Sequence, residues 1–286
     1  MNGKNSIYSN VGVGAARQNH VRVPALLTLG LALLSFLVPF PQPVYSADPS
    51  ITQAQERRVP GQVKVMGNGV VWSWVEYGSE GTPVAIGVTF TETALSGLPE
   101  NLPSDVPYWD YELSLPKQGK VPPYDHIVVD WNPRGHIPPG VYDVPHFDFH
   151  FYMISSSERN KINVKKDDMT KLMKKPPAKF IPAGYILPEG TEEPRMGVHW
   201  VDPSAPEFNK QPFTKTFIYG SYDGHVTFFE PMVSLAYLEG KEPNTTETIK
   251  LPAAYERHGY YPVIYCVRHD AVRKEYTVSL EGLTQR

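Results

Sequence analysis

Residues 135–152 read GHIPPGVYDVPHFDFHFY, and the last seven of them decide the fold. Successive side chains of a β-strand point to opposite faces. In HFDFHFY, one face therefore carries only phenylalanine, and the other carries His146, Asp148, His150 and a tyrosine. We predict a strand that packs its phenylalanine face into a core and presents a row of potential metal ligands on the other face.

The remainder of the chain is also β-rich. Runs of β-branched and aromatic residues alternate with Gly and Pro, which is typical of short strands joined by turns. The predicted strands cover residues 62–66, 69–77, 83–91, 108–115, 126–131, 141–154, 260–268 and 274–280, with a hairpin over 213–232. The fold class predicted is mainly β, as an antiparallel sandwich or an open barrel.

One main helix is predicted, at about residues 156–174. Ser156 or Ser157 can cap its start, and its apolar residues fall on one stripe while lysines cover the rest. Pro176 follows and ends the pattern.

The pair Asp223-Gly224 predicts a two-residue hairpin turn of type I′. Counted outward from this turn, Glu230 falls on the same face as Phe217 and Tyr219. A single carboxylate among aromatic side chains is costly to bury without a partner, so we expect Glu230 to face a metal or a histidine. His225 falls on the opposite face, and we expect it to take no part.

Histidine nitrogen and carboxylate oxygen both bind divalent metals. Residues two apart on a strand have Cα atoms ~6.6 Å apart, which suits one shared ion. His146 and His150 are ~13 Å apart on a straight strand, so either the strand bends or Asp148 pairs with one of them. Asp148 can also accept a histidine N–H and fix its tautomer. A metal-free polar cluster, catalytic or purely structural, is the alternative.

Two further histidines complete the candidate set. His199 stands among apolar residues at a predicted strand end and can point into the same cavity. His136 precedes a rigid Pro-Pro-Gly turn and is a second-rank ligand that can close the site from outside. The predicted divalent-metal ligands are thus His146, Asp148, His150, His199 and Glu230, with zinc as the default metal and manganese, iron or copper as alternatives.

The N-terminus resembles a removable signal peptide. Residues 1–47 contain three basic and no acidic residues, an apolar run of 14 residues at 25–38, helix-breaking prolines and small residues near Ser46 and Ala47. The run is too short to span a bilayer of ~30 Å. We therefore expect export to the periplasm or the medium, no stable membrane span after cleavage, a flexible segment at 48–61, and a β-rich domain over 62–286, whole or as two closely packed sub-lobes.

Composition limits the partners. The full chain has 27 Lys and Arg against 30 Asp and Glu, and the basic residues are scattered. This pattern argues against nucleic acid as a partner. The only cysteine, Cys266, excludes an internal disulfide. No cofactor motif, nucleophile elbow or phosphate loop is present.

Three segments, residues 135–152, 196–200 and 219–232, resemble an uncharacterised family of exported, β-rich bacterial proteins. That family is named after a Thermus protein controlled by an extracytoplasmic sigma-factor system. The resemblance extends over roughly residues 63–283. It implies export, a β-dominated fold and self-association, and it implies no particular activity.

Three classes of function remain open, and one of them is a metal-free hydrolase or carbohydrate-binding module, suggested by the many Tyr and Trp residues. The other two concern the His/Asp cluster. The first is an exported metal-binding protein, with an unknown reaction if it is an enzyme and an unknown small-molecule ligand. The second is an exported structural or binding protein, either monomeric or oligomeric, whose His/Asp cluster is architectural.

Overall fold

The computed structural model describes residues 57–103, 106, 108–240 and 243–286. The predictions of a signal peptide at 1–47 and of its cleavage near Ser46 lie outside the described residues. The segment predicted to be flexible, 48–61, is described only from Arg57, where the first strand already begins. Its last five residues are therefore strand, because they pair with the end of the second strand.

The described part of the chain is mainly β, as predicted. Its strands are β1 (Arg57–Met66), β2 (Gly69–Tyr77), β3 (Pro83–Thr91), β4 (Trp109–Ser114), β5 (His126–Asn132), β6 (His146–Tyr152), β7 (Val198–Trp200), β8 (Lys215–Tyr222), β9 (His225–Ser234), β10 (Asn244–Thr248), β11 (Tyr260–Tyr261), β12 (Ile264–Asp270), β13 (Glu275–Glu281) and β14 (Thr284–Gln285). Its α-helices are α1 (Ser156–Arg159), α2 (Met169–Leu172) and α3 (Leu235–Glu239). Short 3₁₀ turns lie at Glu92–Leu95, Ala178–Phe180 and Pro206–Asn209.

Two six-stranded antiparallel sheets form a sandwich. The first sheet has the order β1-β2-β3-β13-β12-β10, and the second has the order β4-β5-β6-β9-β8-β7. Phe90 of the first sheet lies 6.2 Å and 6.1 Å, between ring centroids, from Phe147 and Phe149 of the second. Phe217 of the second sheet contacts Tyr265 of the first at 5.4 Å. Of the two predicted architectures, the sandwich is the one observed.

The alternation predicted for β6 sets the orientation of the second sheet. Its three phenylalanines belong to the core between the sheets, so His146, Asp148 and His150 point to the outer face, the face turned away from the first sheet. β6 lies between β5 and β9. Residues 133–145 connect β5 to β6, and residues 153–214, which include α1, α2 and β7, connect β6 to β8. All seven residues of β6 are nevertheless buried, so the outer face is covered by other parts of the chain rather than by solvent.

The predicted helix over residues 156–174 is wrong. Only α1 and α2, one turn each, form within it. Between them the carboxylate of Asp168 accepts the backbone N–H of Asn163, and the carbonyl of Ile162 accepts the N–H of Arg195. These bonds occupy backbone groups that a continuous helix would pair internally. The apolar residues that suggested one long helix therefore belong to the second helical turn and to the segment between the two turns.

The register of the β8–β9 hairpin is as predicted beside the turn and differs further out. A β-bulge shifts the pairing by one residue, so that Glu230 pairs with Ile218 rather than with Phe217. The prediction that Glu230 shares a face with Phe217 and Tyr219 is therefore wrong. Those two aromatic side chains belong to the core between the sheets, whereas Glu230 lies on the outer face with the histidines.

Within the described residues, no helix combines the length and the apolar character that crossing a bilayer requires.

Candidate metal centre

A first group of three ligand atoms forms where β6 begins. His146 Nε2 lies 3.1 Å from Asp148 Oδ1, and His136 Nε2 lies 3.4 Å from Asp148 Oδ2. The side chains of His146 and Asp148 are 0% and 5% exposed, whereas that of His136 is 30% exposed. His136 reaches the group from the loop that precedes β6. It was predicted as a second-rank ligand that closes the site from outside, and it is one of the three candidate ligands of this group.

A second group of three lies next to it on the outer face. His150 Nε2 is 3.5 Å from Glu230 Oε1, and His199 Nε2 is 3.7 Å from Glu230 Oε2. β6 contributes His150, the neighbouring β9 contributes Glu230, and β7 at the sheet edge contributes His199. The predicted proximity of Glu230 to the histidines is thus observed, although the face was assigned by the wrong register.

The predicted ligands therefore divide between two groups rather than meeting at one ion. His136, His146 and Asp148 form one set, and His150, His199 and Glu230 form the other. The division follows from the straight strand, because His146 and His150 stand four residues apart on β6. Each group has two imidazoles and one carboxylate.

Three of the histidines have their Nδ1 atom held by a backbone carbonyl. These contacts join His136 to Ile137 O at 2.8 Å, His146 to Val144 O at 2.7 Å and His199 to Thr191 O at 2.7 Å. A carbonyl oxygen only accepts, so each Nδ1 carries the proton. In the neutral imidazole, Nε2 then presents a lone pair, as a metal ligand must.

His150 is held by a carboxylate instead. Its Nδ1 lies 3.1 Å from Asp130 Oδ2, and both side chains are fully buried. This arrangement of carboxylate, imidazole and free Nε2 is the one that commonly orients histidine ligands behind a metal. The sequence analysis did not single out Asp130. The signal was present, since Asp130 is the one carboxylate within the apolar run IVVDW of a predicted strand.

The separations between facing ligand atoms suit a common metal ion. Two ligands that are each ~2.1 Å from zinc and subtend a tetrahedral angle lie about 3.4 Å apart. The four nitrogen-to-oxygen separations in the two groups range from 3.1 to 3.7 Å. In each group, one ligand atom from each of the three residues lies within 4.8 Å of the other two.

Several atoms of the two groups are buried and lack a hydrogen bond. They are His146 Nε2, Asp148 Oδ1, both ring nitrogens of His150 and Glu230 Oε2, and both oxygens of the neighbouring Asp130 are also unsatisfied. In each group a nitrogen lone pair faces a carboxylate oxygen, which is an arrangement of two acceptors. Buried polar groups are normally satisfied, and an exception calls for a proton or a cation between the partners.

The electrostatics of the second group favour a cation. Burial, together with the neighbouring carboxylates of Asp148 and Asp130, raises the pKa of Glu230 well above its usual value. Burial also lowers the pKa of His199 to about 4. His199 is therefore neutral near pH 7 and cannot supply the positive charge that the carboxylates need. A divalent ion would supply that charge and reverse the effect on Glu230.

The first group is electrostatically different. Burial alone would raise the pKa of Asp148, but the charges and hydrogen bonds of His146 and His136 hold that pKa well below its usual value. Asn132 adds a hydrogen bond from its Nδ2 to Asp148 Oδ2 at 2.8 Å. Asp148 is therefore an ionised carboxylate at neutral pH that faces histidine protons. A metal ion bound here would displace those protons, since only the neutral imidazole is a ligand.

Both groups border a single cavity of about 260 Å³. His136 and Asp148 line it from the first group, and His199 and Glu230 line it from the second. A metal ion with three protein ligands keeps a coordination position for water or a substrate. Such an ion lowers the pKa of its bound water and polarises a bound oxygen atom, and this cavity is where that position would open.

His225 lies apart from both groups, as predicted. It is exposed, and its Nδ1 contacts Glu256 Oε1 at 2.6 Å.

Comparison with known proteins gives one similarity. Residues 78–131 match the protein family described as TTHB210-like, hypothetical protein TTHB210. The predicted resemblance to a family named after a Thermus protein is thus confirmed for this part of the chain. The matched segment contains β3, β4 and all of β5 except its last residue. It contains neither group of candidate ligands and none of the three segments on which the resemblance was based. The search of curated proteins and the search of solved structures each found no match.

Proposed function

We propose that this protein binds divalent metal ions at the two groups on the outer face of the second sheet. The observation that carries the proposal is that four histidine Nε2 atoms, of which those of His146 and His150 are buried, face carboxylate oxygens at 3.1–3.7 Å. The Nδ1 atoms of His136, His146 and His199 are bonded to carbonyls. His150 Nδ1 lies 3.1 Å from Asp130 Oδ2, without hydrogen-bond geometry between them. Two neutral imidazoles and one carboxylate form the ligand set of many catalytic zinc sites and of non-haem iron(II) sites.

Zinc is the metal we propose first, because nitrogen and oxygen ligands suit it and its filled d shell imposes no preferred coordination geometry. Manganese, iron and copper accept the same donors. The open position of each ion would face the cavity, where the ion would act on a bound small molecule or on water. The proposal concerns the metal sites and leaves the reaction unassigned.

Elemental analysis of protein purified without a histidine tag, after zinc supplementation and desalting, tests the proposal. We expect close to two equivalents of metal per chain. His146→Ala should remove the equivalent at the first group, and Glu230→Gln should remove the one at the second. His225→Ala is the control and should retain both. An architectural cluster would show no stoichiometric metal in any of these proteins, which would overturn the proposal.

We also propose that the chain is exported and cleaved near Ser46 or Ala47. The support is the basic start, the apolar run at 25–38 and the small residues that follow the prolines. N-terminal sequencing of periplasmic or secreted protein should begin close to Asp48. Recovery of the full-length chain from the cytoplasm alone would contradict export.

A further inference from the structure

The walls of the cavity differ sharply from its floor. The floor is the side of the cavity formed by His136, Asp148, His199 and Glu230, and the walls carry mostly aliphatic and aromatic side chains. Wall residues include Ile137, Ile186, Met196, Val201, Phe208 and Ile218. Ile137 and Ile186 are 45% and 48% exposed, so they stand where the cavity meets solvent. A ligand that reaches the metals therefore passes and contacts apolar surface.

Apart from His136, the ionisable side chains that border the cavity and can carry charge at neutral pH are carboxylates. Glu189 and Glu193 line it in addition to the carboxylates of the two groups. None of the described residues that line it is Lys or Arg. An anionic group placed away from the metals would find no cation to pair with, and desolvating an unpaired charge is expensive.

The size of the cavity limits the ligand to a small molecule. An apolar cavity of ~150 Å³ accommodates benzene. The 260 Å³ observed leaves room for a substituted ring or a branched aliphatic group and a donor atom. It lies near the lower end of small-molecule sites, which typically have ~300–1,000 Å³.

From these observations we infer that the site takes a neutral, mainly apolar small molecule that directs one oxygen or nitrogen donor to the metal. The inference rests on the proposed function, since the donor needs a metal to bind. The apolar walls supply affinity by burying the body of the ligand. Glu189 and Glu193 line the cavity without being candidate ligands, and they disfavour molecules that carry an anionic group away from the metal.

Cobalt(II)-loaded protein and four imidazole probes provide the test. The visible spectrum of the cobalt ion reports the binding of a nitrogen donor directly. Imidazole supplies the donor alone, and 4-phenylimidazole adds an apolar ring. Burying a phenylalanine-sized side chain is worth ~1.5–3 kcal/mol, so 4-phenylimidazole should bind roughly 10- to 100-fold more tightly than imidazole. 4-(Imidazol-4-yl)benzoate should bind at least about tenfold more weakly than the neutral 4-(imidazol-4-yl)benzamide, which has nearly the same shape.

A wall variant locates the effect in this cavity. Ile186→Ser removes apolar wall at a partly exposed position, so the fold should tolerate it. It should reduce the preference for 4-phenylimidazole about three- to tenfold and leave the affinity for imidazole unchanged. Leu251→Ser is the matched control, because Leu251 is 36% exposed and does not line this cavity. It should change neither affinity.

The outcomes separate the two proposals. Cobalt that binds and responds equally to imidazole and 4-phenylimidazole would overturn the inference about the ligand and leave the metal sites standing. Equal affinities for the benzoate and the benzamide would overturn the exclusion of anions. A chain that binds no cobalt would overturn the proposed function, and the ligand class would fall with it.

Discussion

Replacement of His150 by alanine separates a metal-binding role from an architectural one. Binding to the folded state alone stabilises it by ~2.7 kcal/mol when the free ligand is at 100 times its dissociation constant. For a chain of this size, 1 kcal/mol corresponds to about 2–4 °C in Tm. Each occupied group should therefore raise Tm by about 5–10 °C over the chelator-treated protein. His150→Ala removes a ligand of the second group and should abolish the part of the metal-dependent rise in Tm that this group contributes.

The substitution also has a cost that is unrelated to metal. His150 is fully buried, and its ring packs against Phe228 at 4.8 Å between centroids. Truncation leaves a cavity and deprives Asp130 of its partner, and comparable deletions of buried side chains cost ~2–5 kcal/mol. The absolute Tm of the variant is therefore uninformative. The informative quantity is the difference in Tm with and without chelator.

His126 provides the matched control. It is 3% exposed, lies on β5 beside β6, and stacks on Tyr152 with the ring centroids 4.9 Å apart. It belongs to neither group of ligands. His126→Ala should lose a similar amount of packing energy and keep the full chelator-dependent shift.

Differential scanning calorimetry of the wild type and both variants, with zinc and with excess chelator, measures the effect. We expect the largest shift in the wild type and in His126→Ala, and a shift smaller by one group's share in His150→Ala. Equal shifts in the two variants would refute the assignment of His150 as a ligand. The absence of any shift in the zinc-supplemented wild type would refute the metal sites altogether.

Three further predictions test individual parts of the structure. Asp130→Asn should weaken zinc binding at the second group about 10- to 100-fold, because the carboxylate that orients and polarises the imidazole is lost; competition with a chelating dye measures it, and an unchanged affinity would contradict the assignment. Burial would raise the pKa of Asp110, but the charges and hydrogen bonds of Arg195 and Arg159 lower that pKa below its usual value. The ionised carboxylate therefore stabilises the fold above its unfolded pKa of ~3.9. This stabilisation is lost as the pH falls through the pKa of the folded state. Asp110→Asn should accordingly flatten the fall in urea midpoint below about pH 4, and a slope equal to that of the wild type would speak against this pair. Gly220→Ala should lower the free energy of unfolding by about 1–3 kcal/mol, because an added Cβ would overlap the ring of Phe228, and an unchanged urea midpoint would count against the packing described.

Features set by local sequence could be predicted. β2 and β3 begin and end at the predicted residues, because Gly and Pro mark both runs. The alternation of HFDFHFY placed its phenylalanines in the core and its polar row on the opposite face. Each of these patterns is fixed by the period of two in an extended chain.

Features that depend on distant contacts could not be predicted in the same way. The bulge in the β8–β9 hairpin has no local signature, and one extra residue moved Glu230 to the other face of its strand. Membership of the two groups depends on which strands become neighbours, and His199 joins through β7 at the sheet edge. The helix predicted over 156–174 failed for a related reason, since Arg159 turns inward to contact Asp110 and Glu112.

The burial of the polar row is itself an argument against a purely architectural role. Buried ion pairs seldom stabilise a fold more than apolar side chains of similar volume would. Here Asp130, Asp148 and Glu230 are all buried, and His199 remains neutral at pH 7 because its pKa is about 4. Without a cation, protonation of Glu230 relieves the repulsion around it, in line with its raised pKa, but its single proton can serve only one of the two histidines that face it. A divalent ion in each group would bind the facing nitrogen and oxygen atoms and would also offset the repulsion among the carboxylates. Occupied metal sites would therefore leave fewer buried polar atoms unpaired than a cluster held by protons alone.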